Sequence, residues 1–273
     1  CSFSGDVTEL QIEGIPTSDV NGLYGGTNPT DDSGSVEYLS IRHGGAEIGE
    51  GNEINGLTLG GVGSGTKINN VEVVANVDDG IEFFGGTVNA TNLLVWGQGD
   101  DAIDIDQAYA GTIDGAMVIL TDASDHGFEI DGPEGSAAGS FTLKNVTVLG
   151  ATKACSALGV NGEMADFRKA ATGDLSNILF KDFSGGKDVE LDASADAASY
   201  TAGTLTFANI DIMHPVNDGV VCSDVETLNQ IFDDKSDEST FEADASTFAE
   251  IVTEQQAGNG VDSSIFSWTF YAR

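Results

Sequence analysis

Through most of the chain, apolar and polar residues alternate over short runs that end at Gly, Asn or Asp. Val71-Glu-Val73 and Ile103-Asp-Ile105 are typical, and a period of two predicts short strands with one buried face. Three such segments align without gaps: Asp78-Asp-Gly-Ile-Glu-Phe-Phe84, Asp100-Asp-Ala-Ile-Asp-Ile-Asp106 and Asp125-His-Gly-Phe-Glu-Ile-Asp131. Their starts lie 22 and 25 residues apart. A second series keeps the same rhythm through Asn70-Val71, Asn92-Leu93, Asn145-Val146, Asn177-Ile178 and Asn209-Ile210. Gly65-Thr66, Gly86-Thr87, Gly139-Ser140 and Gly203-Thr204 precede most of these pairs by about six residues. Nothing between residues 35 and 220 reads as a long amphipathic helix.

A repeat of about 22 residues or more with two or three short strands each predicts an all-β, single-domain, right-handed parallel β-helix. Its turns stack ~4.8 Å apart, so equivalent residues form ladders and the Asn series can hydrogen-bond along the stack. The turns are expected over residues 1–222, and residues 223–273 read as a C-terminal cap of the same domain. In the cap, Ser223-Asp-Val-Glu226 and Ser239-Thr-Phe-Glu242 open two short helices. Their apolar positions are Val225, Leu228, Ile231 and Phe232, then Phe248, Ile251 and Val252. Phe266, Trp268 and Phe270 alternate as in a strand.

The chain carries 45 acidic and 10 basic residues, a formal net charge of −35 over 273 residues. Nucleic acid and anionic membrane surfaces would repel it, and no apolar run approaches the roughly 18–20 residues that cross a bilayer. Three cysteines, Cys1, Cys155 and Cys222, are too few for a disulfide framework and have no zinc spacing. Cys155 and Cys222 can pair or stay as buried thiols. Cys1 reads either as the lipid-bearing first residue of a mature lipoprotein or as a cut point.

Strand parity places Ile81, Phe83, Ile103, Ile105, Phe128 and Ile130 inward and Glu82, Asp104 and Glu129 in an outward row. Asp106 and Asp131 continue a second outward row that begins at Phe84. Carboxylates one turn apart repel by about 1–4 kcal/mol per pair, so a cation, protonation or backbone N–H groups must offset them. Asp78, Asp100 and Asp125 at the preceding bend, or else the outward row, are the expected Ca²⁺ ligands, since Ca²⁺ takes six to eight oxygens in irregular geometry. The competing reading is that these Asp residues cap turn amides. Glu82, Asp104, Asp106, Glu129 and Asp131, with Phe84, Trp96 and Tyr109 nearby, form the expected ligand surface. The aromatic three equally suit turn or core positions.

The run from Gln11-Ile-Glu-Gly-Ile-Pro16 through Ser40-Ile-Arg-His-Gly-Gly45, Gly51-Asn-Glu-Ile-Asn-Gly-Leu-Thr-Leu-Gly-Gly61 and Asp78-Asp-Gly-Ile-Glu-Phe-Phe84 resembles a group of secreted Bacteroidetes surface proteins. Gly99-Asp-Asp101, Asp131-Gly-Pro-Glu-Gly135 and Phe266-Ser-Trp-Thr-Phe270 extend the resemblance over nearly the whole chain. That group belongs to the pectin-lyase-like β-helix class. The resemblance implies this fold and an exported, surface-displayed or outer-membrane lipoprotein location, and it implies no activity. Asp78, Asp100-Asp101 and His126-Gly127 also resemble the acid pairs and histidine of β-helix polygalacturonases. An enzyme would therefore use Asp100, Asp101, Asp104 and His126, as a glycoside hydrolase or polysaccharide lyase. The basic pair of those hydrolases has no obvious counterpart, because Arg168 and Lys169 are adjacent and out of place in the linear pattern. The expected function is non-catalytic glycan binding or adhesion with calcium stabilisation. Polysaccharide degradation is the rival, and a structural module stacking end-to-end on a further β-helix partner is the third reading.

Overall fold

The computed structural model describes residues 5–46, 54–150, 162–183, 185–222 and 225–269. The chain winds into the expected parallel β-helix. Each turn donates one strand to a seven-stranded sheet, here sheet 1, and one to an eight-stranded sheet, sheet 2. Sheet 1 stacks Leu57–Gly60, Ile81–Phe84, Ile103–Asp106, His126–Asp131, Glu163–Arg168, Val189–Leu191 and Phe232–Asp234. Sheet 2 runs from Ser35–Arg42 through Lys67–Val74, Asn89–Trp96, Thr112–Ile119, Phe141–Leu149, Gly173–Lys181 and Leu205–Met213 to Ala249–Ile251. All pairings within these two sheets are parallel.

Apolar alternation builds the core. Ile81, Ile103, Phe128, Ala165, Val189 and Phe232 stack in register, each at most 1% exposed. Facing them, Val71, Leu93, Ala116, Val146, Ile178 and Ile210 form the matching column of sheet 2.

The Asn series marks a bend inside the sheet 2 strands. Asn70, Asn92, Asn145, Asn177 and Asn209 all have φ between 53° and 58°, and Tyr38 and Gly115 take the left-handed conformation in the first and fourth strands of the sheet. Asn is among the few residues that reach this region with little strain. Its amide then bonds along the stack: Asn209 Nδ2 donates to Asn177 Oδ1 at 3.1 Å and Asn177 Nδ2 to Asn145 Oδ1 at 3.0 Å. At Gly115 the ladder breaks, and Asn145 Nδ2 turns to Asp114 Oδ1 instead.

The two chain ends lie across opposite outer faces. Near the N-terminus, Glu9–Gln11 pairs antiparallel with Leu23–Gly25, and this hairpin sits on the outside of sheet 1. Tyr24 packs on Phe84 with ring centroids 5.5 Å apart, and a side chain at Gly60 would collide with the Tyr24 ring. Beyond Ile251 the chain runs back over sheet 2. Asn259 Nδ2 donates to Asp211, Gly260 N to the Asn177 carbonyl and Val261 N to Thr147 Oγ1. Val261 and Phe266 cover Leu94 and Met117, and Trp268 meets Tyr38 edge-on at the first turn.

The predicted cap is therefore only partly a cap. Helices form at Leu228–Ile231 and Phe241–Phe248, and rings of Tyr200, Phe207, Phe232, Phe241 and Phe248 close the end of the core. Phe232–Asp234 and Ala249–Ile251 add a last turn to the sheets inside the segment expected to be cap. Ile251 thus lies on a strand and not on a helix face. The first helix uses Thr227 and Gln230 as its capping box; residues 223 and 224 of the expected box lie outside the described residues. No strand forms at 266–269. Ser263–Phe266 is a 3₁₀ turn that buries Phe266, and Phe270 lies outside the described residues. Cys222 is disulfide-bonded; Cys1 and Cys155 lie outside the described residues.

The Asn ladder predicts a graded response to substitution. Asn177→Ala forces an L-alanine into the left-handed bend and removes two ladder hydrogen bonds, for an expected loss of about 1–3 kcal/mol. Asn177→Gly, which keeps the backbone unstrained, is expected to cost less. Urea unfolding of both variants measures this, and equal stability of wild type and Asn177→Ala would show that the neighbouring turns alone hold the bend.

Candidate functional site

A tight bend precedes each of three successive sheet 1 strands, and its two leading positions are Asp78-Asp79, Asp100-Asp101 and Asp125-His126. Gly80 closes the first bend because a Cβ there would lie 2.4 Å from Val95 and 2.6 Å from the Ala102 carbonyl. The second residue of each of the first two bends caps the next turn. Asp79 Oδ1 accepts from Asp101 N at 3.0 Å, and Asp101 Oδ1 accepts from His126 N at 2.8 Å. Asp101 Oδ1 also lies 2.8 Å from His126 Nδ1. Amide capping thus accounts for Asp79 and Asp101.

Beyond the bends, parallel register carries the outward acids into one continuous row: Glu82, Asp104, Glu129, Asp166, Glu190 and Asp233. Linear reading reached only the first three. The last three sit in Ala165-Asp-Phe167, Val189-Glu-Leu191 and Phe232-Asp-Asp234, which lack the Asp-Asp or Asp-His pair that marks the bend of the earlier repeats. The second row runs Phe84, Asp106, Asp131, Arg168. Arg168, apparently misplaced in the sequence, is therefore at the acidic face. Its guanidinium pairs with Asp131 at 2.6 Å and with Glu129, while Lys169 reaches Asp131 at 2.7 Å and Glu134 at 2.8 Å. At the far end Lys235 joins Asp188, Glu190 and Asp233 at 3.2, 2.9 and 2.7 Å.

The N-terminal hairpin and the loop that follows its first strand roof the opposite end. Two adjoining cavities of about 400 and 440 Å³ lie between this roof and the rows, and both are lined by Glu13, Glu82, Asp104, Glu129 and Arg168. Their volumes fall in the range of small-ligand sites. The outward row is thus not an open surface: Glu82 is 3% and Asp104 9% exposed.

Burial in this crowd of like charges raises the acids. Desolvation first, then Asp101 and Asp78, push Asp79 up to about 9. Desolvation, then Asp79 and Asp106, push Glu82 up to about 10, and Asp104 is raised well above the ordinary range by burial and by Glu82. Glu129 rises to about 8 through burial and Asp101, against the pull of Arg168. Asp166 rises to about 7, and Asp100 and Asp106 to about 6, mainly by desolvation. His126 goes the other way energetically: burial opposes its charge, but the hydrogen bond to Asp101 prevails and lifts it to about 9.

Of the expected calcium ligands, Asp78 and Asp100 come together, joined by Asp79, with ligand oxygens within 4.8 Å of one another. Asp125 belongs to a separate group with Asp101 and His126, so the three do not form one site. A third group, Asp79, Glu82 and Asp104, is wholly buried. Asp100, Asp101 and Asp104 line one cavity, and His126 is held against Asp101, so the residues expected for catalysis do converge. The aromatic expectation needs correcting. Phe84 lies beneath Tyr24 and is 3% exposed. Tyr109 is a core residue, packed on Phe83 with its hydroxyl donating to the Val88 carbonyl. Trp96 is half-exposed but ends a strand of sheet 2, away from the acids. Glu13, Asn55 and Arg168 also line the cleft, and the sequence pattern does not point to them because none belongs to the repeat motif that carries the acids.

The raised acids set a pH dependence with a definite sign. Below pH 4 these carboxyls are protonated in both folded and unfolded chains. As pH rises from about 4 towards 9 or 10, the unfolded chain ionises freely and the folded one does not, so stability falls through that window. His126, whose raised value stabilises the fold below about 6.5, loses that contribution towards pH 9, in the same direction. In a low-salt, chelator-containing buffer the melting temperature is expected to fall between pH 5 and 9, and Glu82→Gln to flatten the slope. A slope unchanged by Glu82→Gln would mean that Glu82 is not among the groups responsible.

A model for the pectate-lyase like beta helix domain matches residues 9–270. No curated protein and no solved structure matches the chain. The matched span takes in the roofing hairpin, every turn of both sheets and the returning C-terminal segment. With its stacked parallel sheets and acidic outer face, the chain belongs to the pectate-lyase-like beta-helix domain family.

Proposed function

We propose that this β-helix is a carbohydrate-binding protein whose ligand enters the roofed cleft along the outer face of sheet 1. The supporting observation is the pair of adjoining cavities lined by the stacked rows: a row of hydrogen-bond acceptors repeating with each turn suits a chain of hydroxyl-bearing sugar rings. Glu82, Asp104, Asp106, Glu129 and Asp131 supply acceptors, and Arg168 and Gln107 supply donors. A secreted or surface-displayed location belongs to the same proposal, since an extracellular glycan must be reached from outside the cell. In the calcium part of this reading, Asp78, Asp79 and Asp100 at the mouth take over from the expected Asp78, Asp100 and Asp125.

Catalysis is the second reading, favoured by one feature. Asp166 near 7 and Glu129 near 8 adjoin each other in the row, close to the values that suit proton transfer at neutral pH. Asp100, Asp101, Asp104 and His126 stand at the same cleft.

Binding is tested by retention on a broad glycan panel alongside an assay for reducing ends or unsaturated products. The binding reading expects retention without products, and absence of any retained glycan would overturn it. The catalytic reading expects products that vanish in Asp101→Asn and Asp104→Asn. For calcium, a chelator is expected to lower the melting temperature beyond an ionic-strength control, with the difference lost in Asp78→Asn; coincident melting curves would remove the ion from the account.

A further inference from the structure

The acidic row is compensated unevenly. Glu129 has Arg168, Glu190 and Asp233 share Lys235, and Glu163 has Lys187 at 3.4 Å. Among the described residues, no Lys, Arg or His ion-pairs with Asp79, Glu82 or Asp104, although all three are buried. Their donors are few: Asp101 N for Asp79, the Asn55 amide for Glu82, and the carboxyl-to-carboxyl hydrogen bond that Glu82 and Asp104 share when one of them is protonated. Asp104 Oδ1 is completely enclosed and has no hydrogen-bond partner, and Asp104 borders both cavities. A buried carboxyl oxygen left unpaired costs about 1–3 kcal/mol, and protonation relieves the charge of this corner without giving that oxygen a donor, so the cleft is short of a donor here.

We infer that Asp79, Glu82 and Asp104 form a subsite for the ammonium group of an amino sugar, so that the cleft takes a glucosamine-containing, de-N-acetylated glycan. This rests on the carbohydrate-binding reading above and narrows its ligand. An ammonium offers three donors and one positive charge, which would draw three buried carboxyls without a Lys, Arg or His partner into their ionised, accepting form, and it would compete with any Ca²⁺ for Asp79. The neighbouring Glu129 and Asp106 accept from ring hydroxyls, and Arg168 stands one turn further along the stack as a donor. The same geometry disfavours the alternatives. A uronate would bring its carboxylate into a cleft where acids far outnumber the two cations, Arg168 and Lys169. An N-acetylated sugar would present a bulky amide with one donor and no charge to an enclosed site built of acceptors.

The test is calorimetric titration of the full chain with oligosaccharides of equal length made of glucosamine, N-acetylglucosamine or galacturonate, and separately with Ca²⁺ alone. The glucosamine oligosaccharide is expected to bind at least tenfold more tightly than either other sugar, with affinity falling as salt is raised. Asp104→Asn and, independently, Asp79→Asn should abolish that preference. Both exchanges are near-isosteric and remove buried charge, and circular dichroism identifies any variant that fails to fold, leaving the other to decide. Equal or tighter binding of the N-acetylated or galacturonate chain overturns the amino-sugar assignment while leaving carbohydrate binding intact. Failure of every oligosaccharide to bind overturns both. Ca²⁺ bound alone, lost in Asp104→Asn and accompanied by no amine preference, reassigns the corner to a metal and also overturns the inference.

Discussion

Everything in this molecule follows from parallel in-register stacking at a single inter-strand spacing. Once one turn lies on the next, each residue type is placed against the corresponding residue of the neighbouring turns. For apolar residues this is favourable without conditions, and the columns from Ile81 to Phe232 and from Val71 to Ile210 make a continuous core. For Asn it is favourable because an amide carries both donor and acceptor, so Asn145, Asn177 and Asn209 satisfy one another along the bend. For carboxylates the same geometry is adverse, since acceptors meet acceptors and like charges adjoin at about 5 Å. The acidic face is the price that the stack exacts for repeating an acid.

Different parts of the face meet that cost differently. At the bends, Asp79 and Asp101 are relieved by backbone N–H groups of the next turn. Toward the C-terminal turns Arg168 and Lys235 bridge the rows. Under the N-terminal hairpin neither device reaches Glu82 and Asp104, and burial there lifts their pKa values instead. A protonated or cation-compensated corner next to an ionised remainder is a polarised cleft, and polarity of this kind is useful to a binding site because it orients a ligand as well as holding it.

The chain ends complete the architecture by covering opposite outer faces. The C-terminal segment lays Val261 and Phe266 over Leu94 and Met117, converting an exposed apolar stretch of sheet 2 into a second small core. On the other side, Tyr24 over Phe84 and Gly60 anchors the hairpin that turns the acidic rows from an open surface into a cleft. The Tyr200, Phe207, Phe232, Phe241 and Phe248 ring cluster closes the last turn, where unpaired core side chains would otherwise meet water. At the first turn, most of Ser35–Arg42 stays exposed.

The sequence by itself determined the repeat, the solenoid, the Asn bend and the first half of the acidic row, because each depends on spacing along the chain and on strand alternation. Ile81, Ile103 and Phe128 declare their face by parity alone, and so do Glu82, Asp104 and Glu129. Three things needed the tertiary structure. Loops of unequal length hide the register that extends the row to Asp166, Glu190 and Asp233 and brings Arg168 beside Glu129 and Asp131. Phe266 looks like a strand residue locally, yet burial against Leu94 and Met117 holds it in a 3₁₀ turn. Whether the acids face water or a roof depends on where residues 9–25 fold back, a contact between segments distant in the chain that no local pattern encodes. Periodicity could therefore say which residues stack, while only packing between distant segments decided which of the stacked acids are buried without a counter-charge.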